Sequence, residues 1–150
     1  MSKIDVMWVG LSAKNDKSGN KLSPLDSNSN SGKVVDMIET QHENLSFYRT
    51  NLVKYTPLDK HGKLRYPNPS EMAAAIPDLI REFEDFQPKI IFLLGGRVGN
   101  SVQKYLDKNH IVLSAAVYEV YHPSYVYIYK RKQIETYVHE VSEKIKSLML

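Results

Sequence analysis

The chain has no cysteine among its 150 residues. That single absence excludes disulfides, thiolate metal sites, iron–sulfur clusters and a cysteine nucleophile. Long apolar runs are missing too. The stretch MSKIDVMWVG carries one that is too short and too early for a signal peptide or a membrane span. The cytoplasm is the expected compartment, and no membrane partner is expected. A strong charge of either sign is also lacking. The formal net charge is +3, which neither demands nor excludes nucleic acid. No internal repeat stands out. The length suits one core, so residues 1–150 are expected to form a single domain, and a monomer is expected.

Charge is more informative by position than in sum. Lys54, Lys60, Lys63 and Arg65 share one loop with only Asp59 against them, and Lys130, Arg131 and Lys132 form a second cluster. Each reads as a solvated loop or as a nucleic-acid contact, and composition does not decide between them.

Four short apolar runs read as buried strands. They are Val6 to Val9 ending at Gly10, Phe47 to Val53, Ile90 to Leu94 ending at Gly95-Gly96, and Ala115 to Tyr121 ending at His122. The third is apolar throughout, as a central parallel strand covered on both faces would be. Helical spacing marks Lys33–Gln41, Ser70–Phe86, Arg97–Lys108 and Lys132–Leu150. Ser70 reads as an N-cap. Pro77 predicts a break or kink, because an interior proline costs about 3 kcal/mol. Strands and helices therefore alternate. The fold class this predicts is three-layer α/β/α with a four-stranded parallel sheet. The connections Leu11–Ser31 and Tyr55–Pro69 are long for a compact domain. Both leave from strand carboxyl ends, where open α/β sheets place their ligand crevice.

Those ends carry the chemistry. They present Gly10-Leu11-Ser12, Asn51, Gly95-Gly96-Arg97 and His122-Pro123-Ser124. The Asn51 amide can pair with an edge bearing both a carbonyl and an N–H, as uracil does. Its plainer role is to tie down a neighbouring loop. His122 can donate, accept or carry charge near neutral pH. Its plainer role is to end a strand before a proline turn. Ser31-Gly32-Lys33 opens a helix and offers free N–H groups to an anion. Helix capping alone would explain it equally.

Taken in order, these segments resemble the uracil-DNA glycosylase superfamily across nearly the whole chain. Gly10-Leu11-Ser12-Ala13 stands where that family has its glycine-led turn. Pro24-Leu25-Asp26 followed by Ser31-Gly32-Lys33 is similar to its proline–aromatic stretch and helix start. Tyr48 to Lys54 resembles the strand that supplies a base-reading asparagine. Tyr66-Pro67-Asn68-Pro69-Ser70-Glu71 and Pro77 resemble the approach to the next helix. Pro88 to Gly95 resembles the third strand, and His122-Pro123-Ser124 the closing motif.

The resemblance implies removal of a flipped base from DNA that contains a damaged or deaminated base. By position, His122 would hydrogen-bond the base O2 and stabilise the departing anion, and Asn51 would read the uracil edge. Gly10 and the backbone N–H groups near Leu11 and Ser12 would contact base or water. Ser124 and the Tyr125–Tyr129 stretch would lie on a DNA-facing loop. Ser31 and Lys33 would hold phosphates, with Lys130, Arg131 and Lys132 adding sequence-independent attraction. No cofactor or metal is expected.

Two departures stand out. Ser12 replaces the Asp or Asn that many members use to direct water, and Asn15 or Asp16 would have to substitute. Leu25 stands where an aromatic residue usually stacks on the base, with Tyr55 or Tyr125 as possible replacements. Three function classes follow: a glycosylase for uracil or a related base, a nucleic-acid-binding module with weakened catalysis, and a small-molecule α/β enzyme. The last rests on Gly95-Gly96-Arg97 as a phosphate loop, which lacks the P-loop lysine and the full dinucleotide pattern.

Overall fold

The computed structural model describes residues 3–149. Leu150, which the helical spacing includes in the last helix, lies outside the described residues, as do Met1 and Ser2. The element order is β1 (Val6–Ser12), α1 (Asn30–Thr40), β2 (Phe47–Val53), α2 (Pro69–Phe86), β3 (Ile90–Leu94), α3 (Gly96–Lys108), β4 (Ala116–Val120), α4 (Pro123–Tyr129) and α5 (Ile134–Met149). A 3₁₀ turn at Arg131–Gln133 joins the last two helices.

The strands form one parallel sheet in the order β2-β1-β3-β4. β1 and β3 are central, and their apolar side chains from Val6 to Val9 and from Ile90 to Leu94 are buried. Alternation sends Val6, Trp8, Ile90, Phe92 and Leu94 to one face, under α1, α4 and α5. Met7, Val9, Ile91 and Leu93 go to the other, under α2 and α3. Register sets Trp8, Phe92 and Tyr118 side by side on three adjacent strands, with stacked rings 4.9 and 5.8 Å apart. This aromatic row ties the sheet together laterally.

Several boundaries differ from the sequence reading. α1 starts at Asn30 rather than Lys33, because the Ser29 hydroxyl accepts from the Gly32 N–H. α2 is capped by Asn68, not Ser70, through a reciprocal box with Glu71. The expected break at Pro77 does not occur. Pro77 and Ala73 both face solvent, so the carbonyl that loses its donor is left to water. The Tyr125–Tyr129 stretch is helical rather than a loop. His122 caps α4 and Pro123 takes its first position, where a missing N–H costs nothing.

The two long connections are ordered by the same local device. Asp16 Oδ1 accepts from the Ser18 and Asn20 N–H groups, and Asp59 Oδ1 from those of His61 and Lys63. Short antiparallel bridges, Asn15 to Lys21 and Leu58 to Leu64, close each turn. Connections leave β1 and β3 in opposite directions, so the topological switch point lies between these two strands. A crevice is expected at their carboxyl ends.

Pro77→Ala restores an interior helix donor at an exposed site. We expect urea denaturation to show a gain of about 1–3 kcal/mol at unchanged m-value. A loss would mean that α2 depends on the proline locally.

Candidate active site

A cavity of about 760 Å³ opens at that switch point. Its walls come from all four strand ends, from the Leu22–Ser31 segment, from Leu64 to Tyr66, and from Tyr121 to Tyr129.

Asn51 reaches it from β2. It sits opposite Gly10 in the parallel register and is 6% exposed. Among the described residues its side-chain amide has no protein partner, and its polar atoms are accessible from the cavity. A Cβ on residue 10 would lie 2.7 Å from Asn51 Oδ1 and 3.5 Å from Leu25 Cδ2. Only glycine lets the amide cross β1 into the cavity.

His122 enters from the end of β4. Its Nδ1 accepts from the Ser124 N–H at 3.2 Å and from the Ser124 hydroxyl at 2.8 Å. That occupies Nδ1 as an acceptor and leaves the neutral ring's proton on Nε2. Nε2 has no protein partner among the described residues and is free to donate into the cavity. Burial, with the Lys14 ammonium as a second cause, lowers the His122 pKa to about 4. The ring is therefore neutral at pH 7. Gly95 adopts φ +97° and a Cβ there would press within 3.3 Å of His122 Cβ, so the close packing of β3 on β4 also requires glycine. The buried Tyr137 hydroxyl donates to the Tyr121 carbonyl at 2.6 Å and anchors the same corner.

Leu25 forms a buried apolar wall and adopts φ +51°. Its carbonyl accepts from Arg49 at 2.7 Å, while Arg49 is held by Asp36 and Glu39. Glu39 also accepts from the Trp8 indole at 3.0 Å. The unusual backbone at Leu25 is thus held from the sheet. Next to it stands Asp26, the one carboxylate among the described residues lining the cavity. Its Oδ1 accepts from the Asn28 N–H.

Lys14, Arg65 and Arg97 make the remaining charge positive. Arg97 lies over the Tyr66 ring at 4.0 Å. Arg65 pairs with Glu71, whose pKa falls to about 2 through hydrogen bonds from Arg65, Tyr55 and the Asn68 N–H. Among the described residues no group of three or more His, Asp or Glu could hold a metal ion. No described helix is long and apolar enough to cross a membrane.

Of the residues singled out from sequence, Gly10, Leu11, Ser12, Leu25, Ser31, Asn51, His122, Ser124 and Tyr125 line this one cavity. Ala13 donates to Val53, so strand alternation turns the Ser12 N–H away from β2, toward the space beyond the end of β3. Asn15 and Asp16 do not line the cavity. Asn15 accepts from the Thr56 hydroxyl, and Asp16 is committed to its own turn. Tyr55 is exposed and bonded to Glu71, so it does not replace the missing aromatic wall. Lys33 and Lys130 are exposed and lie outside the cavity, beside α4. Sequence reading assigned no role to Asp26 or Tyr66, and took Arg65 and Arg97 only as a loop cation and part of a phosphate loop. Asp26 adjoins Leu25, a neighbour that could have drawn attention to it.

His122 should titrate near pH 4 in a heteronuclear NMR titration. Between about pH 6.5 and 4 the unfolded chain binds more protons than the folded one. The stability contributed by neutral His122 is therefore complete above pH 6.5 and lost as pH falls toward 4. Relative to His122→Asn, which keeps a capping acceptor, the wild type should lose stability over that range. Parallel pH–stability curves would contradict the neutral, buried ring.

The family model for the uracil DNA glycosylase superfamily matches residues 8–146. No curated protein matches the sequence. Among solved structures, the chain is similar to wild-type Pedobacter heparinus SMUG2. The TM-score is 0.63 at 17% identity, over 97% of this chain and 76% of that one. At that identity the likeness concerns the fold: the same α/β architecture around a four-stranded parallel sheet. The family match spans the sheet, the Leu22–Ser31 segment and the His122 corner, and the chain belongs to the uracil-DNA glycosylase superfamily.

Proposed function

We propose that the protein hydrolyses the N-glycosidic bond of uracil or a related deaminated base in DNA. The observation that carries this reading is that the Asn51 amide and the His122 Nε2–H share one cavity and both lack protein partners among the described residues. A planar ligand with adjacent carbonyl and N–H groups would satisfy both.

In this reading the flipped base packs against Leu25, and Asn51 reads its edge. As the bond between the base and C1′ breaks, negative charge grows on the base. The neutral His122 donates a hydrogen bond to O2, where that charge collects. The cations Lys14, Arg65 and Arg97 favour the same anion and the DNA phosphates. Water supplies the oxygen that bonds to C1′, and the proton it loses neutralises the departed base anion. Asp26 is the carboxylate available to orient it, in place of Asn15, Asp16 or the side chain of Ser12. Ser31, 4% exposed at the start of α1, and the N–H groups of that turn suit a phosphate.

A second reading keeps DNA binding without efficient excision. The side chain of Ser12 and the apolar wall at Leu25 favour it, since neither activates water nor stacks as an aromatic ring does.

Single- and double-stranded oligonucleotides carrying uracil, hypoxanthine or xanthine, cleaved with alkali after incubation, separate the two. We expect strand scission with at least one base. His122→Ala should slow single-turnover excision by about 100- to 1,000-fold. Asp26→Asn should lower the rate with little change in DNA affinity. Because His122 stays neutral, the pH–rate profile should show no inflection near pH 6.5. DNA binding with no scission at high enzyme excess would leave only the second reading.

A further inference from the structure

The cavity mouth carries a surface that base reading and catalysis do not use. Tyr121, Tyr125 and Tyr129 recur every four residues and fall on one side of α4 and its entry. Their rings contact in series, with centroids 5.6 and 5.3 Å apart. They are 68%, 41% and 71% exposed, and Ile128 beside them is 54% exposed. Among the described residues none of the three phenol groups hydrogen-bonds to protein. A contiguous exposed aromatic patch of this kind marks a binding surface.

Three features indicate what would cover it. The ladder is continuous with the cavity, since all three tyrosines line its mouth and Tyr121 immediately precedes His122. Cations line the same cavity as the three tyrosines: Lys14, Arg65 and Arg97. No carboxylate lies between Glu119 and Glu135 to oppose a phosphate backbone. Flat π-faces in series beside positive charge suit unpaired bases on a phosphodiester chain. A duplex keeps its bases stacked on one another and has no faces to offer.

We propose that Tyr121, Tyr125 and Tyr129 form a stacking ladder for unpaired nucleotides adjoining the one held at His122. The surface therefore favours single-stranded DNA over duplex. The proposal rests on the DNA-directed reading of the cavity, but its test does not require base removal.

The probe is a fluorescein-labelled, uracil-free 15-mer, alone and annealed to its complement, titrated with the full chain and followed by anisotropy. Single strand should bind more tightly than duplex. Tyr125→Ala and Tyr129→Ala should each weaken single-strand binding roughly tenfold, the scale of one base–aromatic stack. Duplex binding should change less than twofold. Tyr125→Phe and Tyr129→Phe should retain single-strand binding, because the ring and not the hydroxyl acts, and thermal melting should show all four variants folded. Equal weakening of both forms, or unchanged single-strand binding in the alanine variants, would overturn the ladder. So would loss of self-association in those variants at unchanged DNA binding, which would assign the patch to a second copy of the chain. Excision of uracil measured in parallel keeps the two readings apart. Ring-dependent binding without excision sinks the glycosylase reading alone, and excision with ring-independent single-strand binding sinks the ladder alone.

Discussion

β1 is paired on both edges, but not to the same length. Its ladder with β2 runs from Val6 to Ser12, whereas its pairing with β3 stops at Val9. Beyond that point one edge of β1 is left without a strand. The backbone there faces a space that β3 has vacated by turning at Gly95 into α3. The cavity occupies this gap. Its position follows from strand length and from connections that leave β1 and β3 in opposite directions.

The gap is useful because rigid elements hold polar groups there without satisfying them. Asn51 is carried on a paired strand and passes over a residue that must be glycine. His122 is locked by Ser124 in the tautomer that places a proton on the cavity side. Burial then keeps that ring neutral, so its donor is present without a competing protonation step. Leu25 is held in a left-handed conformation by an arginine from the sheet, itself fixed by two carboxylates of α1. Such preorganisation is what transition-state stabilisation by hydrogen bonds requires, because little reorganises during the reaction.

Much of this was legible residue by residue. The uninterrupted apolar run Ile90–Leu94 announced a central strand, and the strand ends pointed to Asn51 and His122. Other features were hidden for physical reasons. Pro77 marks a break in one dimension, but a helix with its proline toward solvent loses only one bond that water replaces. Tyr125–Tyr129 has the composition of a strand, and the cap at His122 with Pro123 in first position makes it a helix. Asn15 and Asp16 are close to Ser12 in sequence, yet an Asp-capped turn carries them away from the cavity. Asp26 is more distant in sequence and lines it.

The alternation of strands and helices as far as β4, and the polar residues at the strand ends, were determined by the sequence alone, because periodicity and turn chemistry are local. Which of those residues meet was decided only by the tertiary structure. Whether Asn51, His122 and Asp26 share a cavity depends on sheet order, on where β3 stops and on the close approaches at Gly10 and Gly95. These are contacts between segments far apart in the chain, and no local pattern encodes their distances.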